Sequence, residues 1–206
     1  MSLIRTALLS AMDHSNDCGR SYSTMTRRRM MAGTASAGIW LLAGCLGDDD
    51  VPDSVAIGDD VFCDNCEMEI TAHPGPVSQA HYDAPDEVLE EDRPAYFCSG
   101  LCTYTFTFEQ EDAGHEPTVL YVTDYSVVDY SVDEGDNPTI SAHFDAEAFE
   151  AVGDVTMVVD SEVEGAMGAS LIGFSDQDDV DDFQDEYGGD RYEHDEITPE
   201  VIMALM

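Results

Sequence analysis

The chain has 206 residues and sets 45 acidic side chains against 7 basic ones, all seven of them Arg, for a formal net charge of -38. A surface this negative repels phosphates, which excludes nucleic acid as a partner, and its self-repulsion is relieved only where salt shortens the screening length to about 3 Å, so the composition reads as halophilic. A hydrophobic content of 43% with 9% aromatics is enough for a packed core and excludes wholesale disorder.

The N-terminal segment differs in kind from the rest. Arg5, Arg20, Arg27, Arg28 and Arg29 precede position 45, leaving Arg93 and Arg191 after it. Thr26-Arg27-Arg28-Arg29 opens a twin-arginine-like region, residues 32–43 form an apolar run, and Leu42-Ala43-Gly44-Cys45 closes it like a lipobox. That run is shorter than the roughly 20 apolar residues a spanning helix needs. The order of arginines, apolar run and cysteine favours an export signal with lipidation of Cys45 over a buried hairpin with a chance thiol. Residues 1–44 are therefore the N-terminal extension and signal, with translation expected to start at Met25, and the mature protein is expected on the extracellular face of the cell membrane, held by its lipid anchor. Residues 45–60 lack periodicity and read as a flexible tether.

Beyond the tether, residues 77–82 have strand character, residues 94–97 read as a strand, and Leu101, Tyr104 and Phe108 fall on one stripe of a helix after the turn Cys98-Ser99-Gly100. Residues 118–122 return as a strand. The pattern then repeats. Residues 155–160 and 171–174 read as strands, Ser175 with Asp178 as a helix start, Val180, Phe183 and Tyr187 as the helical stripe, Gly188-Gly189 as its stop and residues 191–195 as the returning strand. Residues 146–152 could form a short helix between the halves. The fold class is α+β, two small subdomains of roughly strand-strand-helix-strand, spanning 61–124 and 125–206.

Six cysteines in an exported chain must be lipidated, paired or metal-bound. Cys18 falls in the discarded segment and Cys45 in the lipobox, which leaves Cys63-Asp64-Asn65-Cys66 and Cys98-Ser99-Gly100-Leu101-Cys102. Met68 stands two residues after Cys66, so on an extended strand both sulfur atoms face one side; a thiolate with a thioether selects Cu(I). His73, on the stiff turn His73-Pro74-Gly75-Pro76, is a candidate third ligand. Four cysteines as C-x2-C, 31 intervening residues and C-x3-C could equally form a tetrahedral zinc site, and that ending resembles TRASH-type metal-handling domains. Disulfides, Cys63 with Cys66 or with Cys98, are the third reading. His81, His115, His143 and His194 are isolated and read as surface or satisfied histidines, and Met167 as core. No Ser-His-Asp set or phosphate-binding glycine loop is discernible, so the chain is not expected to be an enzyme.

Cys66-Glu67-Met68-Glu69-Ile70 with His73-Pro74-Gly75-Pro76, the central Tyr121-Val122-Thr123-Asp124-Tyr125, and Ala166-Met167-Gly168 through Ile172-Gly173-Phe174-Ser175-Asp176 to Tyr187-Gly188-Gly189 together resemble the NosL family of copper-binding lipoproteins. The resemblance spans roughly residues 60–197. It implies two homologous subdomains, Cu(I) carried by Cys66 and Met68, and delivery of that copper to nitrous oxide reductase in denitrification. Cys63, Cys98 and Cys102 depart from the family pattern. They keep a second version open, a non-catalytic binding module stabilised by zinc or disulfides.

Overall fold

The computed structural model describes residues 51–206, Glu134 apart. The arginine-rich segment, the apolar run and Cys45 lie outside the described residues.

The first half runs β1 (Ser78–His81), α1 (Pro85–Leu89), β2 (Ala95–Phe97), α2 (Gly100–Ala113) and β3 (Val119–Thr123). β4 (Val132–Asp133) and β5 (Thr139–Ile140) follow, then β6 (Phe149–Ala151). The second half runs β7 (Thr156–Gly165), β8 (Gly168–Phe174), α3 (Gln177–Tyr187), β9 (Asp190–Tyr192) and α4 (Pro199–Ala204). Mixed helices and antiparallel strands make this an α+β fold.

The first sheet has the order β2-β1-β3-β6, antiparallel throughout. In the second, β7 pairs antiparallel with β8 and β9, while β5 joins its far end in parallel and carries β4. β1 flanked by β2 and β3 thus has the same connectivity as β7 flanked by β8 and β9, and each unit inserts its long helix between its second and third strands. β6 belongs in space to the first sheet although it lies beyond residue 124.

Both faces of the second sheet are covered. Met157, Val159 and Leu171 enter the large core shared with the first sheet and α2, whereas Val158, Ile172 and Phe174 enter a smaller core against Val180 and Phe183 of α3. That explains why residues 155–159 and 171–174 read as nearly unbroken apolar runs, the signature of strands buried on both sides. α2 is wrapped more widely than a single stripe, with Leu101, Thr103, Tyr104, Phe106 and Thr107 all buried.

Some local expectations need correction. The cap of α3 is Asp176, whose carboxylate accepts from the Asp178 N–H, and not Ser175. Residues 146–152 give no helix but a 3-10 turn, Ala146–Ala148, then β6, which forms because β3 offers it an open edge, and the start of a second 3-10 turn at Val152. Met167 is 43% exposed at the β7–β8 turn, not in the core. The end of the expected tether is fixed to the domain: the Gln79 side chain grips both backbone groups of Val55 at 3.0 and 2.9 Å, Tyr121 donates to the Pro52 carbonyl, and Ile57 N–H donates to Phe144. No helix among the described residues is long and apolar enough to cross a membrane.

Candidate metal centre

Two separate pieces of chain build the site. The first is the loop of residues 61–70, closed on itself by a bridge between Phe62 and Glu69 and by hydrogen bonds from Cys63 N–H to the Met68 carbonyl and from Glu67 N–H to the Cys63 carbonyl, both 2.8 Å. It carries Cys63 and Cys66. The second is the junction of β2 and α2. Cys98 follows the last residue of β2, and Cys102 lies in the first turn of α2, its N–H donating to the hydroxyl of the N-cap Ser99 at 3.2 Å. Such a cap satisfies one of the free amides at a helix start and fixes where the helix begins, and with it the direction of the Cys102 side chain.

The four thiol sulfurs of Cys63, Cys66, Cys98 and Cys102 all lie within 4.8 Å of one another. Cys66 Sγ is 3.5 Å from Cys98 Sγ, which in turn is 3.8 Å from Cys102 Sγ. These are free thiols, and both separations are far beyond the roughly 2.05 Å of a disulfide bond. Four thiolates around one ion at metal–sulfur distances of about 2.3 Å would stand about 3.8 Å apart, so the spacing fits a single tetrahedral ion.

Burial is unequal. Cys98, Cys63 and Cys102 are 0%, 1% and 2% exposed and belong to the main core, whereas Cys66 is only half-buried at its edge. Contacts from the Cys102 and Cys98 thiols hold the Cys63 thiol well below the ordinary cysteine range. The reverse holds for its partners: Cys102, then Cys63, then burial push Cys98 up, and Cys63 raises Cys102 to about 11. Cys98 and Cys102 thus favour the ionised form of Cys63, so a soft metal meets a pre-assembled group that already carries a thiolate. Beside the cluster opens a cavity of about 500 Å³ lined by Cys63, Asp64, Glu67, Arg93 and Tyr96.

The sequence-derived ligands divide. The four cysteines converge. Met68 is half-buried on the same loop, but Glu67 between it and Cys66 has a φ of 62°, so Cys66 to Met68 is a turn and not the extended strand that would put both sulfur atoms on one face. His73 is half-buried after a 3-10 turn and stands outside the thiol cluster. Three other histidines are held elsewhere: His81 by Gln79 at 3.1 Å, His143 by Ser141 at 3.1 Å and His194 by Tyr104 at 3.0 Å.

Sequence reasoning missed the ion pair beside the site. Arg93 forks onto both carboxylate oxygens of Asp64 at 2.8 Å each. The available signal was an Asp inside a C-x2-C motif and one of only two arginines after Cys45, placed five residues before Cys98.

The family model described as NosL matches residues 54–202. Among solved structures, the crystal structure of the copper chaperone NosL from Shewanella denitrificans matches with a TM-score of 0.59 at 28% identity, over 72% of this chain and 97% of that one. No curated protein matches the chain.

Proposed function

Because the chain belongs to the NosL family, we propose that it is a non-catalytic Cu(I) carrier, anchored by a lipid on Cys45 at the extracellular face of the membrane, that hands its copper to nitrous oxide reductase. The observation that carries the reading is the convergence of four thiols with unequal exposure. Thiolates are soft ligands that suit Cu(I), and a carrier needs a site that opens. Three sulfurs lie inside the core and supply affinity, while half-buried Cys66 offers the side from which an acceptor's ligand can attack before the outgoing thiolate leaves. Met68, on the turn next to Cys66, is the secondary soft donor at that edge.

The test is transfer. Reduced protein carrying one Cu(I) is mixed, without oxygen, with copper-free nitrous oxide reductase. Copper should move to the enzyme and activity should appear faster than with the same copper held by a small chelator. Copper that stays on the carrier, or equal loading from the chelator, would overturn the reading.

A second reading has its own support. Three fully buried thiols in the main core also suit a structural zinc ion that is never released. Stoichiometric zinc in the purified protein, not displaced by Cu(I), would favour it.

A further inference from the structure

Half of the thiol cluster rests on weak foundations. Cys98 and Cys102 are fixed by β2 and α2, but Cys63 and Cys66 ride on a loop that belongs to neither sheet and exposes Phe62 and Glu67. A metal site needs its donors held to within roughly 0.5 Å, so something must dock the loop onto the β2–α2 junction.

Asp64 does so by two routes. β2 is the edge strand of the first sheet, and the backbone of its central residue, Tyr96, meets Asp64: the Asp64 N–H donates to the Tyr96 carbonyl at 2.9 Å, and the Tyr96 N–H donates to Asp64 Oδ2 at 2.7 Å. Arg93 then closes over the same carboxylate, Nη1 to Oδ2 and Nη2 to Oδ1, while Nη1 also donates to the Pro94 carbonyl at 2.9 Å and Nε to Glu91. The side chains of Arg93 and Asp64 are 33% and 13% exposed. A forked, partly buried pair is stronger and less screened by salt than an open surface pair. The other arginine of the described residues, Arg191, pairs in the open with Asp181, whose side chain is 61% exposed.

We propose that Arg93 and Asp64 are positioning residues of the metal site: their clamp locks the Cys63–Cys66 loop to the edge of β2 and so keeps two of the four sulfurs in register with the other two. The proposal rests on the thiol cluster being the metal site. Arginine is required because only its planar fork can hold both carboxylate oxygens while a nitrogen still reaches the Pro94 carbonyl; a lysine supplies charge at one point.

The experiment titrates the full reduced chain with Cu(I) against a competing chelator, in molar salt and without oxygen, alongside the thermal midpoint of the metal-free protein. Outer contacts that orient ligands typically contribute 10- to 100-fold in metal affinity. Arg93→Ala and Asp64→Asn should each weaken Cu(I) by that factor, the double variant no further than the worse single one, and Arg93→Lys should recover only part. Arg191→Ala, which removes the same charge elsewhere, should stay within about twofold of the parent. Should Arg93→Ala fail to fold, Arg93→Lys and Asp64→Asn carry the comparison. Affinities within about twofold of the parent in both, or an equal loss in Arg191→Ala, would overturn the proposal. A parallel titration with Co(II), which reports thiolate coordination by its absorption, separates the two levels of the argument. A parent that takes Co(II) but refuses Cu(I) sinks the copper carrier, and the clamp then stands or falls on the Co(II) affinities; a parent that takes neither overturns both.

Discussion

Gly100 stands between Cys98 and Cys102 as the first residue of α2, where that helix packs against β8 of the second sheet. A Cβ added there would lie 2.9 Å from Leu171 Cβ and 3.2 Å from Leu171 Cδ1. Leu171 is buried in β8, and its Cβ is fixed by the strand backbone, so a rotamer change can relieve only the second contact. Two effects oppose each other in Gly100→Ala. Alanine is the better helix former by up to about 1 kcal/mol, and overpacking of a filled core costs about 1–3 kcal/mol. The packing cost wins, leaving a net destabilisation of about 1 kcal/mol. At roughly 2–4 °C per kcal/mol for a chain of this size, the midpoint should fall by about 3 °C. Because the same turn positions Cys102, Cu(I) affinity should fall as well. Circular dichroism melts of reduced, metal-free protein in molar salt provide the assay. A midpoint equal to or above the parent's would mean that helix propensity prevails and that α2 does not approach β8 so closely.

Net charge makes stability depend on salt: the screening length falls from about 10 Å at 0.1 M to about 3 Å at 1 M, so the thermal midpoint should climb across that range, and equal midpoints would refute a halophilic reading. Burial holds the His81 imidazole below its usual 6.5. As pH falls from about 6.5 toward that lowered value, the unfolded chain takes up the proton first and stability is lost; denaturant titrations at pH 7 and pH 5 should show a smaller loss in His81→Gln than in the parent, and equal losses would refute it. Cys66, the most accessible thiol of the cluster, should be alkylated before the other three and protected by one equivalent of Cu(I). Peptide mapping by mass spectrometry checks this, and labelling of Cys98 first would contradict the burial order.

Much of the architecture was legible because the decisive signals are local. The turn Cys98-Ser99-Gly100 ahead of α2, the stop at Gly188-Gly189 and the apolar runs of β7 and β8 are each written in a few adjacent residues. Strands β4, β5 and β6 were not. β6 has three residues, Phe149–Ala151, and exists because β3 presents an open edge to it, a partner almost 30 positions away in sequence. The candidate site divides along the same line. C-x2-C and C-x3-C announce a metal, but that both pairs meet in one cluster is a consequence of docking a loop onto an edge strand. Pairing Cys66 with Met68 on one face assumed an extended backbone, and the left-handed turn at Glu67 breaks that assumption. Ion pairs such as Arg93–Asp64 span 29 positions and leave no periodic trace.

The central claim is that the four thiols together form the copper site. It is tested most directly by the Cu(I) affinity of Cys98→Ala with Cys102→Ala, set beside that of Met68→Ala under one competing chelator. The four-thiol account expects the double cysteine variant to lose more than the 10- to 100-fold that an outer contact is worth, and Met68→Ala to lose about tenfold or less. Parent-like affinity in the double variant, with copper binding abolished in Met68→Ala, would contradict it and return the site to Cys66 and Met68 alone.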